Sequence, residues 1–467
     1  MSDRSHDDAS SEQEDGSRTV AEPSVDRSET RHVLLIGGGG LADATERALE
    51  SGGASVARLR DPRDPEIRTA LEEEIDGAVI VSRADVVSLR LALVVAHVRP
   101  GLPLLVTTFG RDVAAQLEST VENVRVLSMA DLVVPAFAGP CLDSKLLSLG
   151  GPRSDIAAVE VDGSEDRPRR TPLQSPGPGR GRRLLGLLES AARPFNTSAR
   201  ILQIGSVGFV AVLLIETAVT ALALGVPLVD AFYTSMKVTV TVGPSSAAEA
   251  GPDWFKLFSA AAMILIVGFT AVLTAGLVNY LLDARLSGIV GRSAVPRRDH
   301  VVVVGLGEVG LRLCELLREL GVPVVAVERN DEAPTLLRAK DQRIPVVFGG
   351  GASQDLLRAV SLSRARALAA VTSDEVENIA ISVSARGVRK DLAIALRAGD
   401  GDATTETRSL FDIGVVRDVY RIAGTALAAV ALGYDAREAF PYKGTLYLVD
   451  HDGQIQPFVP VGSPTAR

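Results

Sequence analysis

Two long apolar stretches dominate the hydropathy pattern of the chain, Ile201–Val226 and Leu257–Leu282. Each is longer than the ~20 residues that an α-helix needs to cross the hydrocarbon core of a bilayer. The segment between them, residues 230–245, is moderately apolar but too short for a third crossing. A segment of this size fits a re-entrant dip, whose backbone must be satisfied by protein or a watery cavity. The pattern predicts a helical membrane pore unit, residues 201–282, made of two spans and a re-entrant pore helix.

Apolar β-like runs alternate with helical patterns on both sides of this unit. Residues 32–150 contain the runs His32–Ile36 and Leu104–Thr108, and residues 300–400 repeat the plan from His300–Val304 onward. Such alternation predicts parallel sheets joined by right-handed crossovers. The fold class is therefore a membrane α-helical unit flanked by two α/β Rossmann-like domains, which form an internal repeat.

The remaining segments are distinguished by composition. Residues 1–31 are acidic with almost no apolar side chains, so we expect them to be disordered. Residues 151–200 are rich in Pro, Gly and Arg and are interpreted as a linker, and residues 283–299 as a basic connector. Residues 401–467 are interpreted as a crossover helix with a short β tail. The net charge of −9 gives no global footprint for nucleic acid as a partner.

Arginines cluster beside both apolar stretches. Eight lie between Arg167 and Arg200, whereas the connection between the spans has Lys237 and Lys256 as its basic residues. Because cytoplasmic loops carry the excess of Lys and Arg, both flanks and both termini are expected in the cytoplasm. The N-terminus has no apolar core of a cleaved signal peptide. We therefore expect a multi-pass protein of the cytoplasmic membrane, in contact with lipid.

A dinucleotide fingerprint follows the first strand of the second repeat. Gly305, Gly307 and Gly310 come directly after Val301–Val304 and open a helical pattern. The first glycine permits a tight turn, the second lets a pyrophosphate approach the backbone, and the third lets the helix pack closely. The N-terminus of that helix faces the phosphates. This context predicts a nucleotide site, although a Rossmann domain kept for assembly with an empty crevice stays an alternative.

The predicted ligand is NAD(H) or an adenine nucleotide, bound as a ligand rather than as a redox cofactor. Glu328 ends the next strand, where a carboxylate hydrogen-bonds ribose hydroxyls, so a 2′-phosphate is disfavoured despite the adjacent Arg329. No histidine or lysine with an orienting carboxylate stands at a strand end, so we expect no enzyme. The candidate binding residues are Gly305, Gly307, Glu308, Val309, Gly310, Glu328, Arg329 and Thr372.

The first repeat is a poorer copy of this motif. Gly37, Gly39 and Ala42 satisfy the loop pattern, but the position of the ribose carboxylate falls at about Leu59, which has an arginine on either side. Without that carboxylate the ribose contact is lost. The first domain is therefore interpreted as structural or as liganded differently.

The chain resembles a known family at these motifs. Phe232–Gly243 looks like the pore helix and the first half of the selectivity filter of potassium channels. Val301–Asn330 and Ala369–Asn378 resemble the RCK domain (regulator of potassium conductance, or TrkA-N), and residues 32–150 resemble it more distantly. The resemblance implies a homotetramer around one pore, in which filter carbonyls replace the hydration shell of potassium or another monovalent cation.

The filter departs from the family pattern TVGYG. Thr241, Val242 and Gly243 keep the first three positions, but Pro244 takes the aromatic position and Ser245 that of the second glycine. Proline fixes φ near −65° and removes a donor, and a positive φ costs serine about 1–2 kcal/mol. The first three residues are predicted to coordinate cations. The outer half is not expected to have the usual geometry, so potassium selectivity stays open.

Two further residues of the spans are candidates for the ion pathway and its gating. Glu216 lies mid-span, where a carboxylate is costly and normally faces the bundle interior, either in the ion path or in a hydrogen-bonded structural role. Gly268 near the middle of the second span is a candidate hinge, with close helix packing as the alternative. Cys141 and Cys314 have no partners at metal-ligand spacing, so no metal site is expected.

These observations and the resemblance favour a nucleotide-regulated cation channel related to potassium channels. The alternative is a non-conducting membrane-anchored nucleotide sensor or a regulatory subunit of a potassium transporter, which Pro244 and Ser245 favour. A membrane-bound oxidoreductase is disfavoured because the sequence offers no catalytic set. The sequence does not say which nucleotide binds or whether it opens the pore.

Overall fold

A computed structural model describes residues 30–82, 84–108, 111–151, 156–162, 166–173, 197–239, 251–286, 289–290, 295–399 and 414–460. The described residues form two Rossmann-like domains, two small antiparallel sheets and two long apolar helices. The predicted α/β architecture of the soluble repeats is confirmed.

The first domain is a parallel sheet with helices on both faces. Its strands are β1 His32–Gly37, β2 Ser55–Leu59, β3 Gly77–Val81, β4 Leu104–Thr108 and β5 Val124–Ser128. Its helices are α1 Gly40–Ser51, α2 Asp64–Leu71, α3 Asp85–Val98, α4 Arg111–Thr120 and α5 Met129–Leu142. The strand order is β2-β1-β3-β4-β5. The central strands are continuous apolar runs because helices cover both of their faces.

The membrane unit and the second domain follow. The helices of the membrane unit are α6 Thr197–Leu224, α7 Leu228–Thr239 and α8 Asp253–Leu286. The strands of the second domain are β9 Ile289–Val290, β10 Val301–Val304, β11 Val324–Glu328, β12 Val346–Phe348, β13 Ala367–Ala370, β14 Ala393–Ala398 and β15 Val415–Asp418. Its helices are α9 Glu308–Glu319, α10 Leu336–Asp341, α11 Gln354–Ala359, α12 Glu375–Val388 and α13 Val419–Ala431, with one 3₁₀ turn, Leu362–Arg364.

The second sheet has the order β15-β14-β13-β10-β11-β12-β9. Its strands are parallel except for β9, which comes from the connector after α8 and pairs antiparallel with β12 at the edge. The two residues of β9 therefore attach the chain that leaves the membrane helix directly to the second domain.

The last helix of each domain crosses to the other domain. Helix α5 follows β5 but packs against α9 and β14 of the second domain, and α13 follows β15 but packs against α1 of the first. Helix α5 is apolar on all sides and is buried along nearly its whole length. Arg417, 7% exposed, donates from Nε to the carbonyl of Ala136 (2.9 Å) and from Nη2 to that of Leu147 (3.1 Å). The two domains therefore share one core.

A small antiparallel sheet follows each crossed helix. The first contains β6 Leu146–Gly150, β7 Ala157–Val161 and β8 Pro168–Pro172, and the second contains β16 Glu438–Tyr442, β17 Thr445–Val449 and β18 Ile455–Phe458. Strands β7 and β8 lie inside residues 151–200, which the composition marks as a linker. The prolines of β8 are tolerated because they stand at the ends of an edge strand. The described residues 157–161 and 168–172 of the predicted linker are thus folded as strands.

Two helices are long and apolar enough to cross a bilayer. They are Ile201–Leu224 and Asp253–Val278, with mean hydropathies of 2.3 and 2.4 over their best windows. Only 17% of each window is buried within the chain, which is unlike the core helix of a soluble domain. Glycines permit their close contact, since a Cβ on Gly276 would lie 2.9 Å from the Leu202 Cα.

Candidate nucleotide site and membrane site

The loop between β10 and α9 has the geometry that its three glycines predict. Gly305 has φ +95°, and a Cβ there would lie 2.8 Å from the Thr372 nitrogen. A Cβ on Gly310 would lie 1.9 Å from the Gly305 carbonyl oxygen. A Cβ on Gly307, the N-cap of α9, would have no atom within 4 Å. The first and third glycines are therefore required by packing, whereas the second leaves open space before the helix N-terminus.

Glu328 joins the end of β11 to this loop. Its Oε2 accepts the N–H of Leu306 at 2.7 Å, and its Oε1 accepts those of Arg329 and Asn330 at 2.8 and 2.9 Å. These bonds fix the carboxylate at the carboxyl ends of adjacent strands. A carboxylate has about four acceptor positions, so one remains for a ribose hydroxyl.

The opposite side of the crevice is the turn after β13. The backbone N–H of Thr372 donates to Oδ1 of Asn378 at 3.0 Å, and Nδ2 of Asn378 donates to the Arg397 carbonyl at 3.0 Å. Asn378 is fully buried and therefore holds this turn against β14. The hydroxyl of Thr335 donates to the Leu306 carbonyl and holds the glycine loop from the other side.

These elements enclose a cleft of about 400 Å³ at the carboxyl ends of the strands. The predicted residues that line it are Gly305, Gly307, Glu308, Glu328, Arg329 and Thr372. Val309 and Gly310 lie behind it in the first turn of α9. Two ion pairs lie at the rim, Arg338–Glu308 at 2.7 Å and Arg329–Glu377 at 3.3 Å. The described lining residues include no His, Cys or Lys, and the absence of enzymatic activity stays a prediction.

The model of the TrkA-N domain family matches residues 301–416, which span β10 to β15 and carry this cleft. This part of the chain is a TrkA-N domain.

Relatives are found over more of the chain than the TrkA-N domain. Potassium channel protein 1 of Methanocaldococcus jannaschii is 22% identical over 268 residues, which are 55% of this chain and 78% of that protein. The Trk system potassium uptake protein TrkA of Streptomyces coelicolor is 36% identical over 93 residues, 19% of this chain and 39% of that protein. The chain thus spans most of the first relative but well under half of the second.

Among solved structures, the match to the GsuK channel covers 88% of this chain and 65% of the GsuK chain, with 13% identity and a TM-score of 0.48. The resemblance of the chain to potassium-channel-related proteins with TrkA-N domains is confirmed by the family match and the relatives.

Among the residues that were not predicted from sequence, Thr335 and Arg397 line the TrkA-N cleft, and Asn378 holds the turn on its opposite side. None of them belongs to the glycine fingerprint. Thr335 and Asn378 act by fixing the two loops, which requires contacts across the sheet. A usable signal was the polar residue Asn378 on the inward face of helix α12, where burial demands hydrogen-bond partners.

The first domain carries the same loop in a different environment. Gly37 and Gly39 both have positive φ, +150° and +78°. Ile36 pairs with Leu59 as Val304 pairs with Val327, so the strand register makes Arg60 the counterpart of Glu328. The neighbouring Arg58, 8% exposed, pairs with Asp43 at 2.5 Å and with Glu46. An arginine held by acidic residues of α1 therefore lies beside the loop.

The membrane unit places one of its candidates in a buried position. Glu216 is 2% exposed, and its Oε2 has no hydrogen-bond partner among the described residues. Gly268 lies in the continuous helix α8, and a Cβ there would meet no atom within 4 Å, so close packing within one chain does not require this glycine. Its role as a hinge stays a prediction. Thr241, Val242 and Gly243 lie outside the described residues.

Proposed function

We propose that the protein is a potassium-related cation channel of the cytoplasmic membrane, regulated by nucleotide binding to the TrkA-N cleft. Four copies surround one pore, with lipid around the spans and monovalent cations passing between the α7 segments. The observation that carries this proposal is the open glycine loop with a fixed acidic residue, in a chain that also has two bilayer-length apolar helices. The names of both sequence relatives, which concern potassium transport, support it.

The shape of the inter-span helix supports a re-entrant segment. Helix α7 has 12 residues and is therefore about 18 Å long, which is shorter than the hydrocarbon core. Gly225, with φ +63°, ends α6 and reverses the chain. Ala231 and Ser235, one turn apart, are both buried, so one face of α7 packs inside the unit. These features support the proposal that helix α7 returns into the membrane beside α6 and serves as the pore helix.

The chemistry of the cleft supports an adenine nucleotide such as NAD(H), ADP or ATP. Gly307 leaves room for phosphates at the N-terminus of α9, where the helix dipole and free N–H groups favour an anion. Glu328 offers an acceptor for ribose hydroxyls and repels a 2′-phosphate. A ligand that binds one arrangement of the domains more tightly favours that arrangement. The connector that carries β9 transmits this preference to α8 and changes the fraction of channels whose pore is open.

The experiment is potassium and sodium flux into proteoliposomes, measured with and without NAD, NADH, ADP and ATP. Wild-type protein should conduct, and at least one nucleotide should change the flux. The matched variant is Gly307→Asp, which fits the local φ of −72° and is a good N-cap but places a carboxylate where phosphates bind. It should keep the basal flux and lose the nucleotide response, with affinity reduced about 100-fold or more. A Gly307→Asp protein that responds as wild type does would contradict the assigned site.

A non-conducting sensor or regulatory subunit is the second candidate, favoured by Pro244 and Ser245 at filter positions. In that case wild-type liposomes show no flux although nucleotide raises the melting temperature. The double variant Pro244→Tyr with Ser245→Gly then distinguishes the channel from the sensor. Gain of potassium flux indicates a pore scaffold with an altered filter, whereas continued absence of flux favours the sensor.

A further inference from the structure

The crossed helices create two equivalent clefts beside the small sheets, one between α9 and α5 and the other between α1 and α13. Helices α9 and α1 each begin after the second loop glycine, and α5 and α13 are each capped by the side chain of the preceding residue. Counted from these starts, Ala44 is the counterpart of Arg312, and Arg421 is the counterpart of Asp131. The same two helix positions therefore face both clefts.

The cleft between α9 and α5 is closed by its own side chains. Nε of Arg312 lies 2.5 Å from Oδ1 of Asp131, and Nε of Arg437 lies 3.9 Å from Oε1 of Glu438. The remaining volume is about 200 Å³, and these four residues balance the charge of the lining.

The cleft between α1 and α13 is open and basic. Its volume is about 470 Å³ because Ala44 stands where the other cleft has an arginine. Arg421 replaces the aspartate, and its guanidinium donates to the Gly444 carbonyl and forms no ion pair within the described residues. Arg47 adds a second positive charge, and the acidic residue among the described lining is Asp418, which caps the N–H of Arg421 at 2.9 Å. The lining therefore carries an excess positive charge.

The other walls of this cleft suit an organic molecule. The volume lies within the ~300–1,000 Å³ of small-molecule sites, which combine apolar walls with a few polar groups. Hydroxyl groups and apolar side chains both face the space: Ser51, Thr425, Thr445, Ala48, Leu446, Phe458 and Pro460.

We propose that this cleft binds a small phosphorylated molecule, with the guanidinium groups of Arg47 and Arg421 on its phosphate oxygens and Phe458 against its apolar part. Arginine is suited to this because its planar donors match phosphate oxygens in pairs. The walls come from the first domain, from the crossed helix of the second domain and from the C-terminal sheet. A ligand here contacts both domains and is separate from the TrkA-N cleft, and the inference does not depend on the proposed function.

The test is calorimetric titration of the full-length protein in detergent with ADP and with inorganic pyrophosphate. The Gly307→Asp background removes the contribution of the TrkA-N cleft. In that background at least one of the two probes should bind with one equivalent per chain, and adding Arg421→Glu should weaken it at least tenfold. Arg68→Glu, an exposed charge reversal on α2, is the control and should leave the affinity unchanged. Absence of binding by both probes, or binding that Arg421→Glu does not change, overturns the proposal.

A second variant tests the comparison of the two clefts directly. Ala44→Arg together with Arg421→Asp installs the ion pair of the closed cleft at the equivalent positions. It should abolish probe binding in the Gly307→Asp background while keeping the unfolding midpoint. If this variant does not fold, Arg47→Ala with Arg421→Ala supplies the same readout, and retained binding in either variant overturns the assignment.

Discussion

The loops after β1 and β10 occupy the same place in two domains of the same topology, but their surroundings differ. The second loop faces a cleft with Glu328 fixed at its edge by three N–H groups. In the first, Arg60 takes the register position of that acid, and Arg58 is held by carboxylates of α1. The glycines alone therefore set the turn, whereas the residue at the end of the neighbouring strand decides which ligand the turn can serve.

The largest expected difference between the domains is a dependence of stability on pH. His300 directly precedes β10 and His32 is the first residue of the equivalent strand β1, but His300 is fully buried and His32 is exposed. Burial lowers the pKa of His300 to about 4, although its Nε2 lies 2.9 Å from the Val360 carbonyl. Between pH 6.5 and 4 the unfolded chain therefore binds a proton that the folded chain excludes. The free energy of unfolding should fall by about 3 kcal/mol as the pH drops to 4.

The measurement is unfolding by denaturant at several pH values. His300→Gln keeps a donor for the Val360 carbonyl and does not titrate, so this part of the pH dependence should disappear. His32→Gln is the matched control and should retain the wild-type profile. Equal profiles for all three proteins would contradict the assignment to His300.

The next difference concerns the third position of the loop motif. Gly310→Ala places a Cβ 1.9 Å from the Gly305 oxygen, so the loop must shift. We expect the free energy of unfolding to fall by about 2 kcal/mol, as for overpacking, and nucleotide affinity to fall with it. Ala42 is the buried counterpart in the first domain, and Ala42→Gly should cost about 0.5–1 kcal/mol without changing affinity. Thermal unfolding and titration of both variants check this; a neutral Gly310→Ala would show that the loop is adaptable.

The smallest expected effect distinguishes the two ribose positions. Glu328→Gln keeps the shape but removes the charge and turns one accepting oxygen into an NH2 group that faces a backbone N–H, so the adenine nucleotide that wild type binds most tightly should bind about tenfold more weakly. Arg60→Gln at the equivalent register position should change that affinity less than about twofold, within the ordinary effect of a surface substitution. The dissociation constants are measured by calorimetry on the purified proteins. A larger effect of Arg60→Gln on the affinity would indicate that the nucleotide binds to the first domain.

Local sequence patterns predicted those parts of the structure whose residues lie close together in the chain. The runs of valine in β10, the glycine spacing and the acid at the end of β11 predicted the TrkA-N cleft, because a turn, a helix start and a strand end lie within about 25 residues. The two apolar helices followed from hydropathy alone, because length and composition suffice for a bilayer-spanning helix.

What the sequence did not reveal depends on contacts between distant residues. Helix α5 contains Pro135 and Pro140 and has no polar face, so its periodicity gives no helix signal. Strands β7 and β8 lie among prolines and arginines and are folded because β7 pairs with β6 and β8 pairs with β7. The counterpart of Glu328 was placed near Leu59, and only the strand register identifies Arg60. Each of these features depends on contacts with a strand or helix from another part of the chain.

The exchange of α5 and α13 between the domains also constrains the order of synthesis. Arg417 and its acceptor Ala136 are 281 residues apart, and both apolar helices of the membrane unit lie between them. At about 5–20 residues per second, the ribosome needs roughly 15–55 s to cover that distance. In the earlier part of this interval α5 has left the ribosome while its partner α9 has not yet been synthesised, and both apolar helices of the membrane unit are made before α9. The apolar helix α5 of the nascent first domain must therefore stay uncovered until about two thirds of the chain has been translated, where α9 begins.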